Sequence, residues 1–425
     1  TSTLNYHFMK FKLLHGDKVI WAIFFMLCII SVVEVSSAAS YLVLKEGSFA
    51  KPIIQQTIFI LMAIVTAWIL HQIPYRYYRI VILGNPAIIC ALAYAMTSGQ
   101  VLNNGARWVS FFGLFNFQPS ELSKGVLVIT TAAIIASSLK TPQKHDGQIS
   151  SGAFYSIVGI TCFHCGLIVS QNFSTAAIIF LAINSMFIFF RPPRKAMMSL
   201  YGFLAIIFAV AVMVISLLPK DPNAAIYQNS YMQRVTTWRS RVSSDKKIVM
   251  TPDPKDFEVT DGNRQVVNAR IAVARSHGTG VLPGRSIQRD YLSAAYSDFI
   301  FAIVAEELGL AGCLLVIVLY LWLLYRCGRI AAQSSKMFPA AIAMGFGMMI
   351  VGQAMINMAV AMGLGPVTGQ PLPLISKGGT STIITGAYIG IILSTSRGIR
   401  RKDLQDTQVI TEAPNEITVE EFTKE

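Results

Sequence analysis

Charged residues are scarce in this chain. Only 13% of its 425 residues are Asp, Glu, Lys or Arg, whereas 53% are hydrophobic and the mean hydropathy is +0.54. A soluble domain of this size needs more charge to cover its surface, so the composition excludes an ordinary soluble protein. The sequence therefore predicts an integral membrane protein.

Cysteine is absent from the one long polar stretch, roughly residues 219 to 297. All the cysteines lie within or beside apolar runs, so a disulfide framework is not expected. The segment Cys162-Phe163-His164-Cys165 has the spacing of a metal motif, but small buried cysteines and one hydrogen-bonded histidine are the favoured interpretation there. A cleavable signal peptide is not expected, because the first apolar run is too long and lacks a small-residue exit.

The net charge of +13 comes from short basic clusters between apolar runs, which is typical of topology signals rather than of nucleic-acid binding. Ten runs are long enough to span a bilayer of roughly 30 Å. They lie near residues 19–43, 53–72, 79–97, 120–138, 152–170, 173–190, 196–218, 298–324, 337–362 and 372–395. Since backbone polar groups must be satisfied inside lipid, we expect an all-α, polytopic membrane protein with ten transmembrane helices and one large extracytoplasmic loop.

Every second connection is basic, so the positive-inside rule predicts that both termini are cytoplasmic. Long loops are translocated largely regardless of their charge, so the basic residues in the polar stretch do not overturn this orientation. The predicted parts are a cytoplasmic N-terminus (1–18), helices 1–7 (19–218), a large extracytoplasmic loop (219–297), helices 8–10 (298–395) and a cytoplasmic tail (396–425).

Asp298 stands where the large loop returns to the membrane. A carboxylate at that boundary is costly unless it is paired or takes part in function, although Ser297-Asp298 could instead cap the eighth helix. Glu306 and Glu307 lie two turns or more further along the same helix, with Glu306 closer to the face of Asp298. Either glutamate could alternatively form an internal ion pair with Lys124 or another basic residue.

Three other segments on the predicted outer side are polar. Arg107 and Lys124 flank the start of the fourth span, where topology signals should be few, although Pro119 and Ser120 there are explained as helix-start residues. Residues 277–286 are rich in glycine, which is a weak sign of ligand approach. Residues 363–381 are rich in proline and glycine, and such irregular backbone is tolerated at membrane depth only when it is buried or lines a cavity.

Four stretches together resemble the SEDS family of peptidoglycan glycosyltransferases, the FtsW, RodA and SpoVE group. They are Asn104–Trp108, Phe117–Glu121, Ser297–Phe301 with Glu306–Gly309, and Pro366–Pro373. Their order and the ten-span topology also match. Within the family, Ser376–Ser381 resembles the division branch, FtsW, more than the elongation branch, RodA.

The chain departs from the family pattern in three places. Arg107 stands alone where the family usually has two arginines before the tryptophan. The family's Pro-Glu-x-His-Thr-Asp is replaced by Ser293-Ala294-Ala295-Tyr296-Ser297-Asp298, and its Gln-Pro-Asp by Gln171-Asn172-Phe173. The aspartate is retained, but its immediate neighbours differ.

The resemblance implies polymerisation of lipid II into glycan strands during septal wall synthesis, with release of undecaprenyl pyrophosphate. Asp298 would be the catalytic base, taking the proton of the GlcNAc 4-hydroxyl as it attacks the MurNAc anomeric carbon with inversion. The residues expected to bind substrate are Arg107, Lys124, Glu306, Gln118, Ser120, Thr368, Ser376 and Lys377. A divalent cation, Mg or Mn, is implied by the resemblance alone, and no metal ligands are assigned.

The resemblance also implies partners and a location. They are lipid II, a class B penicillin-binding protein as transpeptidase, other divisome membrane proteins and the lipid bilayer, at the septum of a bacterial inner membrane. No nucleic acid is expected. Two alternatives stay open, a lipid II flippase and a non-catalytic scaffold. A flippase needs polar residues along the whole crossing, whereas this chain concentrates them in its outer half, with Glu34 as the main exception.

Overall fold

The computed structural model describes residues 14–39, 50–98, 100–102, 105–111, 115–138, 149–169, 172–219, 263–292 and 294–412. Only the backbone is described at residues 97, 98, 100–102, 105–111, 115–117, 208, 211, 214–216 and 398–412. Most of the predicted extracytoplasmic loop, together with the ends of the chain, lies outside the described residues.

Helices dominate the described residues. The α-helices are α1 Lys18–Ala38, α2 Ala50–Gln72, α3 Asn85–Ser98, α4 Pro119–Ser138, α5 Ser151–Val169, α6 Phe173–Phe190, α7 Arg194–Leu217, α8 Arg264–Arg275, α9 Gln288–Tyr291, α10 Ile300–Gln333, α11 Met337–Ala361 and α12 Thr380–Glu412. A 3-10 helix, Tyr75–Gly84, leads directly into α3. The predicted all-α fold of a polytopic membrane protein is confirmed.

Among the described residues, eight helical segments are long and apolar enough to cross a membrane, and each coincides with a predicted span. They correspond to spans 1–6, 8 and 9. Helices α7 and α12 overlap the seventh and tenth spans, so the total of ten stays a prediction. The third span contains the 3-10 helix as well as α3, which the apolar pattern did not distinguish.

A small antiparallel sheet connects α3 to α4, and it was not predicted. Its strands are β1 Gln100–Leu102, β2 Gly105–Phe111 and β3 Phe115–Phe117, in the order β1-β2-β3. The backbone of Arg107 therefore lies in β2, whereas its side chain is outside the described part of the chain.

The tenth span was predicted to begin at residue 372, but α12 begins only at Thr380. Pro371 and Pro373 lack the N–H that a helix needs, and Gly379 has a φ of 54°. Residues 362–379, here called the Pro-Gly segment, are irregular, and Gly363 and Gly369 in its first half also have positive φ values. The second half of the segment is buried, since Leu372, Ile375 and Ser376 are each at most 1% exposed, whereas Leu364 in its first half is 81% exposed.

Helix α11 lies in the middle of the bundle, between α4, α6, α10 and α12, and most of its surface is buried. Helix α2 packs closely on α12. A Cβ atom on Gly386 would lie 2.5 Å from the Ala63 carbonyl oxygen, and one on Gly390 would lie 2.7 Å from that of Ala67. Small residues spaced by four on both helices allow this backbone approach in a membrane bundle.

The bundle has two ends with different structure. The Asp298 end contains the starts of α4, α10 and α12 together with the Pro-Gly segment. The Asp17 end contains the start of α1, where Asp17 Oδ1 accepts a hydrogen bond from the Val19 amide at 2.8 Å and caps the helix. Asp17 also pairs with Arg326 of α10, and its amide donates to Ser396 Oγ of α12 at 3.0 Å.

Candidate active site

Asp298 precedes α10 by two residues and is partly exposed. The N-cap position of α10 belongs to Phe299, so Ser297 and Asp298 do not occupy the place that the capping alternative assigned to them. Asn357 of α11, 1% exposed, donates hydrogen bonds to the carbonyl oxygens of Asp298 at 2.8 Å and Gln370 at 2.7 Å. Both hydrogens of one buried amide thus tie Asp298 to the Pro-Gly segment.

Ser376 fixes the peptide unit that precedes Asp298. Its hydroxyl donates to the carbonyl oxygen of Ser297 at 2.5 Å and accepts a hydrogen bond from the Leu372 amide at 2.8 Å. Ser376 is 1% exposed, so the predicted substrate-binding side chain is a buried link between two stretches of backbone. The peptide units before and after the Asp298 Cα are therefore both fixed by hydrogen bonds from buried side chains.

Gly369 lies beside the carboxylate. A Cβ atom at this position would lie 3.7 Å from Asp298 Oδ2, and the φ of Gly369 is 66°, in the region that side chains rarely adopt. The glycine thus allows the Pro-Gly segment to pass close to the carboxylate. Thr368, predicted to bind substrate, is the preceding residue and is partly exposed.

Lys124 is held in a buried network. Its Nζ lies 2.8 Å from Glu121 Oε1 and donates to Gln353 Oε1 at 2.9 Å. Gln353 in turn donates to the carbonyl oxygen of Pro371 at 3.0 Å, and Ser381 donates to Glu121 Oε2 at 3.2 Å. The lysine is 2% exposed, so the network satisfies a buried charge and fastens α4 and α11 to the Pro-Gly segment.

Lys377 and Gln370 anchor the same segment to further helices. The Lys377 amide donates to the carbonyl oxygen of Tyr296 at 2.9 Å, and its Nζ donates to Gln55 Oε1 of α2 at 3.1 Å. Gln370 donates to Thr175 Oγ1 of α6 at 3.1 Å. Side chains from α2, α6 and α11 thus hold the irregular backbone against residues 296–298.

Glu306 and Glu307 lie at a kink in α10 where the end of the large loop docks. Gly309 has a φ of 64°, and a Cβ there would lie 2.5 Å from the carbonyl oxygen of Gly278. The kink leaves two helix carbonyls available to loop amides. The bonds are Val281 N to Glu306 O at 3.0 Å and Leu282 N to Glu307 O at 2.9 Å.

The Glu306 side chain is fully buried and bonds to the loop. It accepts hydrogen bonds from the hydroxyl of Ser286 and from the amide of Ile287, and Oε1 lies 3.6 Å from Arg275 Nε. The alternative of an internal ion pair thus has a basis in Arg275, whereas the described carboxylate partner of Lys124 is Glu121. A substrate-binding role for Glu306 stays a prediction.

Glu34 belongs to the Asp298 end. It lies three residues before Ser37, whose hydroxyl donates to Glu307 Oε1, so it occupies the same face of α1 one turn away. Glu34 is fully buried, and neither of its carboxylate oxygens has a hydrogen-bond partner among the described residues. Glu34 was expected to lie apart from the polar residues in the outer half of the bundle. It lies with them at the Asp298 end instead.

Three of the predicted substrate-binding residues are linked to the backbone around Asp298 or to the Pro-Gly segment beside it. They are Ser376, Lys377 and Lys124, through the contacts above. Ser120, the second residue of α4, is buried, and Gln118 immediately precedes that helix. The described side-chain contacts of Glu306 are instead with the end of the large loop.

The prediction omitted three buried amides and one carboxylate that build the site, Gln353, Asn357, Gln370 and Glu121. The signal for two of them was available, because Gln353 and Asn357 are polar residues four apart in an otherwise apolar span and therefore share one helix face. Such residues face the bundle interior by default and suggest a function.

The favoured interpretation of the segment Cys162–Cys165, buried cysteines with one hydrogen-bonded histidine, is right for the histidine and wrong for the cysteines. His164 is fully buried, with Nδ1 2.8 Å from Ser123 Oγ, whereas Cys162 is exposed and Cys165 is half-buried. All six cysteines are free. No group of three His, Cys, Asp or Glu residues that could hold a metal ion occurs in the described part of the chain. The described residues near Asp298 thus do not form a preassembled cation site.

A partly exposed aspartate, whose backbone is fixed by buried side chains in a bundle of membrane helices, defines a membrane protein with a polar site at one end. The chain belongs to the FtsW/RodA/SpoVE family of cell cycle proteins, whose family model matches residues 17–401.

Curated relatives cover most of the chain. A protein of Thioalkalivibrio sulfidiphilus named "Probable peptidoglycan glycosyltransferase FtsW" is 29% identical over 350 residues, 81% of this chain and 80% of the relative. Proteins of the same name from Haemophilus influenzae and Nitrosomonas europaea are 28% and 30% identical. The alignment with the Haemophilus influenzae protein covers 89% of each chain, and that with the Nitrosomonas europaea protein covers 82% of this chain and 83% of the relative.

Solved structures share the fold. A chain from a peptidoglycan synthase complex that coordinates polymerization and crosslinking has a TM-score of 0.64 at 22% identity, over 90% of this chain and 98% of the other. The rod shape determining protein RodA of Thermus thermophilus has a TM-score of 0.60 at 21% identity, over 90% and 97%. Both matches confirm the architecture.

Proposed function

We propose that this protein is a peptidoglycan glycosyltransferase of the FtsW type, which polymerises lipid II into glycan strands and releases undecaprenyl pyrophosphate. The observation that carries the proposal is the fixed backbone around Asp298, a partly exposed residue. Asn357 and Ser376 donate to the carbonyl oxygens of Asp298 and Ser297. Family membership and the names of the relatives support the same activity.

The geometry suits a general base. Glycosyl transfer to a hydroxyl needs a carboxylate that takes the proton as the new bond forms, and such a base acts well only when it is accurately placed. Hydrogen bonds to the carbonyl oxygens of Ser297 and Asp298 fix its backbone, while the side chain stays accessible to substrate. Asp298 would take the proton of the acceptor 4-hydroxyl during inversion at the donor anomeric carbon.

The cations have different proposed roles. The Nζ of Lys124 is bound by Glu121 and Gln353, so we assign it to positioning the Pro-Gly segment rather than to direct contact with the departing pyrophosphate. Arg107 and Lys377 are the candidates for that contact, since cations that face the developing charge stabilise the transition state. A divalent cation could enter with the pyrophosphate, because Mg²⁺ is commonly bound by one or two carboxylates together with substrate phosphates.

The proposed setting is a bacterial inner membrane, with both termini in the cytoplasm and the Asp298 end outside. The basic clusters at alternate connections support this orientation. Septal location and a class B penicillin-binding protein as partner are proposed from the FtsW relatives and from the synthase complex that also performs crosslinking. The loop end docked on α10 is available to such a partner at the outer side.

One experiment separates polymerisation from flipping and from scaffolding. Purified protein, alone and with the transpeptidase, is given labelled lipid II, and the native chain is compared with Asp298→Asn. We expect glycan polymer from the native chain and a loss of polymer in the variant. Undiminished polymer in Asp298→Asn would remove the catalytic assignment. Absence of polymer from the native chain in every condition, with a dye-accessible lipid II assay positive in vesicles, would favour transport.

A further inference from the structure

A basic cavity lies at the Asp17 end, away from the proposed active site. Its volume is about 460 Å³, and it is lined by Tyr75, Arg76, Arg79, Ala136, Lys336, Met337 and Phe338. These residues come from the 3-10 helix, the last turn of α4 and the start of α11. Three cations therefore converge from two separate connections, and no carboxylate lines the cavity among the described residues.

The 3-10 helix explains the arrangement. Its period is three residues per turn, so residues three apart lie on one face. Arg76 and Arg79 share such a face, whereas Tyr77, Ile80 and Leu83 share another and are 68%, 69% and 77% exposed. An apolar stripe this exposed, on a segment that enters the bundle, faces lipid. The basic cavity thus opens beside the bilayer at the level where the helices end.

The guanidinium of Arg79 is oriented by an aromatic ring. Its guanidinium lies over the ring of Phe338, 4.9 Å from the centroid, and Phe338 is 3% exposed. Stacking of this kind restricts the guanidinium while its N–H groups remain available for a planar, bidentate contact with a phosphate. Arg76 and Lys336 have no carboxylate within ion-pair distance in the described part of the chain.

Helix α11 adds to the attraction. Its N-cap is Lys336, which makes no side-chain cap hydrogen bond, and its first turn contains no acidic residue. A cation at a helix N-terminus is unfavourable by itself, because the helix dipole is positive there. An anion bound between Lys336 and the arginines would offset both charges.

We propose that this cavity binds the phosphate head group of an anionic phospholipid. Basic pockets between helices at the membrane surface recognise such head groups, and the volume falls within the roughly 300–1,000 Å³ of ligand sites. A lipid rather than a soluble phosphate is favoured because the cavity borders the lipid-facing stripe of Tyr77, Ile80 and Leu83. Topology alone requires basic residues in a connection, but it does not require that two connections converge on a cavity.

Native mass spectrometry of the full chain in detergent micelles tests the proposal. The protein is mixed with equal amounts of phosphatidylglycerol and phosphatidylcholine, and retained lipids are counted for the native chain and for R76Q/R79Q/K336Q. We expect preferential retention of one phosphatidylglycerol by the native chain and a loss of roughly tenfold or more in its apparent affinity in the triple variant.

R191Q/R194Q/K195Q is the matched control, because it removes three exposed cations, from the C-cap of α6 and the first turn of α7, at the same end of the bundle. We expect its phosphatidylglycerol retention to equal that of the native chain. An equal loss in both variants would mean diffuse attraction and would overturn the site. Displacement of the lipid by inorganic phosphate or pyrophosphate at equal concentration would also overturn the choice of a lipid head group.

A second measurement guards against misfolding of the triple variant. A photoactivatable phosphatidylglycerol is crosslinked to the native chain and to the single variant Arg79→Gln, and labelled peptides are mapped. The label is expected on the peptides containing Tyr75–Arg79 and Lys336–Phe338, and it should weaken in Arg79→Gln. Labelling confined to other helices would contradict the proposal.

Discussion

The two ends of the bundle use polar residues in different ways. At the Asp17 end, Asp17 caps α1 and pairs with Arg326, so side chains finish regular helices and join them. At the Asp298 end, Asn357, Gln353 and Ser376 bond to carbonyl groups of irregular backbone instead. These contacts join regular helices at the Asp17 end, whereas those at the Asp298 end fix the irregular backbone around an aspartate.

The largest expected effect is at the carboxylate. Asp298→Asn keeps the size of the side chain and removes the proposed base, so polymerisation of lipid II should fall by about 10²- to 10⁴-fold. Gel analysis of labelled glycan strands measures it. Asp290→Asn is the control, since its carboxylate lies in the loop with half of the side chain exposed, and it should polymerise normally. Equal losses in both variants would contradict the assignment.

Gly369→Ala tests whether the Pro-Gly segment must pass close to Asp298. The φ of 66° is strained for alanine, and the new methyl group would contact the carboxylate. We expect polymerisation to fall by about ten- to a hundredfold, as for a small displacement of a catalytic group. Gly365→Ala in the same segment meets no atom within 4 Å, so full activity is expected there. Normal rates in Gly369→Ala would refute the close approach.

Asn357→Ala tests the link between α11 and Asp298. It leaves the carbonyl oxygens of Asp298 and Gln370 without their buried donor, which costs about 1–3 kcal/mol in the free energy of unfolding. Thermal unfolding in detergent and the polymerisation rate should both decline. Met355→Ala, at an exposed position of the same helix, is expected to change neither. A variant with native activity would show that the backbone around Asp298 is held by other contacts.

Asp17→Asn tests the opposite end. Asparagine still caps α1, so the change removes mainly the charge that pairs with Arg326. We expect a lower unfolding temperature, corresponding to about 0.5–2 kcal/mol, with polymerisation unchanged. A large loss of activity without a loss of stability would show that Asp17 acts in polymerisation and does not only stabilise its end of the bundle.

Glu34→Gln should have the smallest effect. The carboxylate is buried, its oxygens have no hydrogen-bond partner among the described residues, and it lies one turn from the Ser37–Glu307 contact. A neutral side chain of the same shape avoids the cost of burying a charge. We expect an equal or higher unfolding temperature, measured in the same detergent. A clear destabilisation would indicate that the charge of Glu34 has a partner.

Much of the site was predictable from residue types along the chain. The retained aspartate and the glycine- and proline-rich stretch before the last helix both mark it. Irregular backbone was expected to be buried or to line a cavity, and at Leu372 and Ile375 it is buried. The roles of Lys124 and Ser376 were not predictable. Both were expected to bind substrate, but their hydrogen bonds go to residues distant in sequence, such as Gln353 and Ser297.

The sequence by itself determined the class of protein, because apolar runs of bilayer length leave a helical bundle as the available fold. It also predicted irregular backbone before the last helix, since Pro371 and Pro373 lack amide hydrogens, although it placed the start of that helix at residue 372 instead of Thr380. Only the tertiary structure decided which buried polar groups are partners. In the bundle interior each donor must find an acceptor nearby in space, so the packing of α11 decides that Asn357 holds Asp298 and that Lys124 meets Gln353.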